Sequence, residues 1–167
     1  MSHTKRETTE VRVRRRGFFT THHRFSTGDR TLGELTLPAF AQSNVFRAED
    51  GRDLAMRLPR WLSTEHEMFE GGRVRGRAGR SGLFQFHLEV EYEGQAYTME
   101  PAGALSEKWR LMDAQDLILL SIEPQGCLSG EVRLYPQPGV HRDLVVFAYY
   151  LVHMRREETA AACAAIG

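Results

Sequence analysis

The chain lacks most of the features that mark a function directly. Its 167 residues hold only two cysteines, Cys127 and Cys163, too far apart for a metal or redox spacing. Free thiols of this kind behave as small buried residues. Lysine is almost missing: Lys5 and Lys108 stand alone, and arginine supplies the rest of the positive charge. Basic and acidic residues number 22 each, so the net charge is zero. That balance does not point to a nucleic-acid partner, for which a basic surplus is expected. There is no G-x-S-x-G elbow, no H-E-x-x-H and no phosphate-binding glycine loop. No catalytic residue, metal ligand or cofactor is therefore assigned. No apolar run approaches the ~20 residues of a membrane span. The opening residues MSHTKRETTE contain no apolar leader core, so a cytoplasmic chain without a transmembrane span is expected.

What the chain does hold is a series of short alternating segments. Hydrophobic residues make up 41% of it, enough for one substantial core. Residues 1–10 read as a flexible polar tail and 11–167 as a single domain. Val11 and Val13 alternate with Arg12, Arg14 and Arg16. Phe18–Ser26 is a second extended candidate. Further short strands are expected at Thr31–Thr36, Ser43–Arg47 and Asp53–Leu58, and Trp61–Phe69 also leans to strand. In Arg73–Ala78 the arginines 73, 75 and 77 oppose Val74, Gly76 and Ala78; such small inner residues suggest something bulky inside. The clearest strand is Phe84–Tyr92, with Phe84, Phe86, Leu88, Val90 and Tyr92 on one face. Gln95–Glu100, Lys108–Met112, Asp116–Glu123 and Gly130–Tyr135 follow. In Asp116–Glu123 both faces are largely apolar, which places it deep in the sheet.

Leu144–Met154, LVVFAYYLVHM, is apolar on every side. A helix of this kind must be enclosed, and it is about half a membrane span long, so protein is expected to enclose it. The helix is expected over about 141–158, with Asp143 in its positive first turn. Arg155 and Arg156 mark its return to water, and Ala160–Ala165 is able to prolong it. Ten to twelve short strands followed by one apolar helix predict a mainly β fold: a closed antiparallel barrel of about twelve strands enclosing the helix.

The hairpin series from Phe18 to Tyr135, the segment Gly82–Val90 and the terminal Leu144–Met154 with Arg155 and Arg156 together resemble the tubby C-terminal-like superfamily. That group includes the LURP-one-related and phospholipid-scramblase-like proteins. The resemblance implies a twelve-stranded barrel threaded by a C-terminal helix. It also implies association with membranes or lipids, phosphoinositides among them. The sequence departs from it in lacking a matching basic phosphoinositide motif, an acidic calcium segment and a cysteine-rich palmitoylated segment.

Two arginine stripes are the candidate binding residues: Arg12, Arg14 and Arg16, and Arg73, Arg75 and Arg77 with Arg80 in the following turn. Guanidinium groups grip phosphate in bidentate fashion. If adjacent, the stripes would form one patch for an anionic lipid or phosphorylated ligand, peripheral at a membrane. The alternative is a solvated face neutralised by Glu65, Glu67, Glu70 or Glu89. Among the histidines, His22 and His23 must face opposite ways in a strand. His66 and His87 are placed beside glutamates on polar faces, and His153 is read as a neutral core imidazole with a hydrogen bond. Tyr149 and Tyr150 are expected to aim their hydroxyls at polar core partners or the barrel mouth. Three functions follow: a non-enzymatic binding module, a small enzyme using His66 with Glu67 or His87 with Glu89, and a scaffold acting through a protein partner.

Overall fold

The computed structural model describes residues 9–39, 43–57, 65–80, 87–104, 106–126 and 130–166. Twelve strands come first: β1 (Val11–Arg16), β2 (Thr20–Thr27), β3 (Arg30–Pro38), β4 (Asn44–Ala48), β5 (Asp53–Arg57) and β6 (His66–Glu70). They continue as β7 (Arg73–Gly79), β8 (Leu88–Tyr92), β9 (Gln95–Pro101), β10 (Trp109–Met112), β11 (Ile118–Pro124) and β12 (Glu131–Pro136). One helix, α1 (Arg142–Ile166), ends the series. Each strand pairs antiparallel with its sequence neighbours, and β12 returns to β1 with Val11 opposite Leu134 and Arg14 opposite Glu131. The sheet is thus a closed barrel with no free edge.

A barrel of about eight strands is filled by its own side chains, and the bore widens as strands are added. Twelve strands leave a lumen, and α1 occupies it. Every residue from Leu144 to Val152 is buried, and Phe147, Ala148 and Leu151 are wholly so. The inward residues of the strands meet the helix in one continuous core, with Phe25, Phe46, Met68, Met99 and Leu120 among the most buried. The small inner residues of β7 have the expected reason. A Cβ on Gly76 would lie 3.2 Å from Phe147 Cε1 and 3.3 Å from the Glu91 carbonyl.

The two ends of the barrel differ. Where α1 enters, the strands are joined by connections of two to five residues. At the other end, where α1 emerges, the connections run from three to eight residues. The helix entry is pinned by charge. Asp143, in the first turn, is buried and accepts from Arg52 at 3.2 Å. Arg52 also donates to Glu70 at 2.9 Å, and Arg142 donates to Asp50 at 2.9 Å. No helix among the described residues is long and apolar enough to cross a membrane.

Several sequence expectations change in detail. Phe18 and Phe19 fall in the β1–β2 turn rather than in a strand. β11 buries only one face: Leu120 and Ile122 point inward, while Leu117 before it is 60% exposed. Phe84, Phe86, Trp61 and Cys127 lie outside the described residues, as does the side chain of Cys163. The helix runs on to Ile166, as the alanine-rich tail allows.

Candidate functional site: the rim around the emerging helix

The two arginine stripes do not meet. β1 and β7 are six strands apart whichever way round the barrel one counts, so they sit on opposite walls. Most of their charge is also already matched. Arg12 lies 3.3 Å from Glu10 and 3.6 Å from Glu131, and Arg14 donates to Glu131 at 3.2 Å. Arg77 donates to Glu67 at 3.3 Å and Arg80 to Glu158 at 3.1 Å. A register shift leaves Arg75 opposite no residue of β6. Its half-buried side chain bonds Glu70, Glu93 and the Tyr92 hydroxyl at the helix-entry end. Among the described residues, Arg16 and Arg73 alone of the seven candidates make no ion pair. They stand at opposite ends, because β1 finishes at the open rim and β7 starts beside the Gly71–Gly72 turn.

Next to Arg16 the chain turns through Gly17, whose φ of +92° places a would-be Cβ 2.2 Å from the Thr20 carbonyl oxygen. Only glycine fits there. The turn thrusts out Phe18 and Phe19, 91% and 78% exposed, in edge contact with ring centroids 5.8 Å apart.

A polar cluster lies just inside the same rim. Arg15 and His23 are cross-strand partners, and Arg15 continues the inward phase of Val11 and Val13. His23 is completely buried and shares a 2.6 Å hydrogen bond with the Tyr149 hydroxyl. Its other ring nitrogen meets Thr21 at 3.2 Å. His153, one turn beyond Tyr149 on the same helix face, packs edge-on against His23 at 4.7 Å. It makes no hydrogen bond among the described residues, contrary to the expected core partner. Burial pushes His23 down to about 3, with His153, Arg15 and His22 adding to the effect. Burial likewise lowers His153 to about 4, helped by Arg15 and Arg156 and opposed by Glu157. Tyr149 is raised above the ordinary phenol range by burial. These groups line a cavity of about 210 Å³ between β1, β12 and α1, with Arg15 and Arg156 at its margin.

The remaining histidines are dispersed. His22 faces outward and meets Glu34 at 3.1 Å. His66, expected on a polar face, is instead buried inside and lies 3.3 Å from the Tyr150 hydroxyl, because β6 alternates in the opposite phase. Burial lowers its pKa. Glu67 points outward to Arg77, so His66 and Glu67 share no cleft. Glu89 is on the exposed outer face of β8. Tyr150 also receives a bond from Asn44 at 3.4 Å. Among the described residues no three His, Cys, Asp or Glu side chains are grouped to hold a metal.

No family model and no curated protein matches the chain in sequence. In structure it is similar to an Arabidopsis thaliana protein known from an X-ray structure, with a TM-score of 0.58 at 14% identity. The match covers 90% of this chain and 93% of that one. A likeness at this identity defines the fold: a twelve-stranded barrel around a C-terminal helix.

Proposed function

We propose that the protein is a non-enzymatic binding module of the tubby-like kind that docks on anionic lipid surfaces through its open rim. The observation that carries this reading is the pair Phe18 and Phe19, 91% and 78% exposed on a glycine-fixed turn. Adjacent exposed aromatics are costly in water and mark a contact surface. At a membrane, exposed phenylalanine rings can bury themselves at the boundary between headgroups and acyl chains. Arg16, directly before the turn and without an ion partner among the described residues, adds attraction worth about 1 kcal/mol at an anionic surface. The twelve-stranded layout is the architecture that the tubby-like resemblance implies.

Sedimentation with vesicles tests this. The chain is expected to pellet with vesicles containing phosphatidylserine and to stay in solution with neutral phosphatidylcholine. Replacing both aromatics, Phe18→Ser with Phe19→Ser, is expected to abolish pelleting without lowering the unfolding temperature. Equal behaviour of the wild type and the double variant would show that the rim does not dock.

A further inference from the structure

The cavity beside the emerging helix is bordered by two arginines, Arg15 and Arg156, and two glutamates, Glu131 and Glu157. Several arginines on the barrel donate hydrogen bonds to carboxylates, as Arg14 does to Glu131 at 3.2 Å and Arg47 to Asp53 at 3.0 Å. Arg15 and Arg156 do not. Arg15 approaches Glu157 only to 3.7 Å and Arg156 approaches Glu107 only to 3.7 Å. Neither guanidinium donates a side-chain hydrogen bond among the described residues, so both forks are open. Glu131 also borders the cavity, but its charge is met by Arg12, Arg14 and Arg133. The formal charges of the wall balance, and what sets it apart is that neither Arg15 nor Arg156 is engaged by a side-chain hydrogen bond among the described residues.

The floor complements this margin. Tyr149 and His23 satisfy one another at 2.6 Å, which leaves His153 as the imidazole free to donate into the space. We propose that this cavity binds the oxyanion of a small phosphate or carboxylate compound, gripped by Arg15 and Arg156 and hydrogen-bonded by His153. The forks offer the bidentate geometry that such oxygens prefer. The volume of about 210 Å³ admits a phosphate- or carboxylate-sized group. This site does not rest on the lipid reading. Its oxyanion comes either from a soluble metabolite or from a headgroup presented at the rim.

Proton–carbon NMR of the histidine rings in the full chain tests the proposal. Sodium phosphate, sodium acetate and sodium chloride are titrated separately at constant pH and ionic strength. Phosphate or acetate is expected to shift the His153 and His23 signals saturably, and chloride is not. Arg15→Met and Arg156→Met should each weaken apparent affinity about tenfold or more, the loss of one charged hydrogen-bonding contact. Arg24→Met, on the outer face, should leave it unchanged. Having two arginine variants keeps the test decisive if one fails to fold.

Phosphatidylserine vesicles form a further arm. Vesicle-induced shifts at His153 that soluble phosphate reverses identify a headgroup as the source. Phosphate shifts without any vesicle effect identify a soluble ligand. The Phe18→Ser, Phe19→Ser variant should lose vesicle binding and keep the phosphate response, which separates the two readings. Shifts no larger than those from chloride with every probe, or full affinity in both arginine variants, overturn the site.

Discussion

At the scale of single residues, His23 and His153 set an acid limit on the fold. Both remain neutral when folded, at about 3 and about 4, against about 6.5 in an unfolded chain. As pH falls below 6.5 the unfolded chain takes up protons that the folded one refuses, so stability drops. The loss should begin near pH 6.5, before the carboxylates titrate, and continue to about pH 3. Urea unfolding between pH 7 and pH 4 should show this slope, and His153→Phe should reduce it by up to ~1.4 kcal/mol per pH unit, one proton's worth. An unchanged slope would mean that His153 is already solvated.

Gly76 sets a steric limit of the same kind. Its position against Phe147 leaves no space for a branched side chain, so Gly76→Val should cost about 1–3 kcal/mol as overpacking. Gly76→Ala should cost less, because a single methyl asks Phe147 and the Glu91 carbonyl to give by only a few tenths of an ångström. Denaturant midpoints of the two variants compare them directly.

At the scale of elements, α1 is two helices in function. Leu144 to Val152 is core, and the turns beyond Met154 lie outside the wall, increasingly exposed from Glu157 onward. Phe147→Ala should therefore lose about 3–5 kcal/mol. Ending the chain after Thr159 should shift the unfolding temperature only slightly, which calorimetry of the two variants checks. Much of this element was legible in the sequence. An apolar run on every face demands enclosure, and Asp143 fits the first turn. Strands with strict alternation, such as β1 and β8, were equally legible because inward and outward residues differ in type. The rim was less so. Phe18 and Phe19 look like strand residues by composition, and only the glycine turn before them moves them into water. Arg15 carries an inward phase in the run Val11, Val13, Arg15, a signal present but masked by its arginine neighbours. The meeting of His23 with His153 has no local signature, since 130 residues separate them along the chain.

At the scale of the whole molecule, the closed barrel decides which charges can act together. Arg16 and Arg73 lie on opposite walls and at opposite ends, so a flat surface that meets one cannot meet the other. Arg16→Glu should weaken vesicle binding severalfold, in keeping with about 1 kcal/mol per arginine. Arg73→Glu should leave binding unchanged. Equal losses in the two variants would indicate a diffuse electrostatic contact rather than a docked rim. The overall architecture was readable from strand spacing and the apolar helix together, whereas the separation of the stripes was not. Alternation gives the face of a residue but not its position around the barrel.

The order of elements has a consequence for synthesis. The core that all twelve strands pack against is specified by the segment that follows them. While a ribosome is still translating the strands, the growing sheet has no plug, and the inward residues of β2, β4 and β6 have only each other or water. The closing pair β1–β12 also joins segments separated by more than a hundred residues, a slow step on loop-closure grounds. The barrel therefore passes from the ribosome as an open, sticky meander. Its native state becomes accessible only once Leu144–Val152 has emerged.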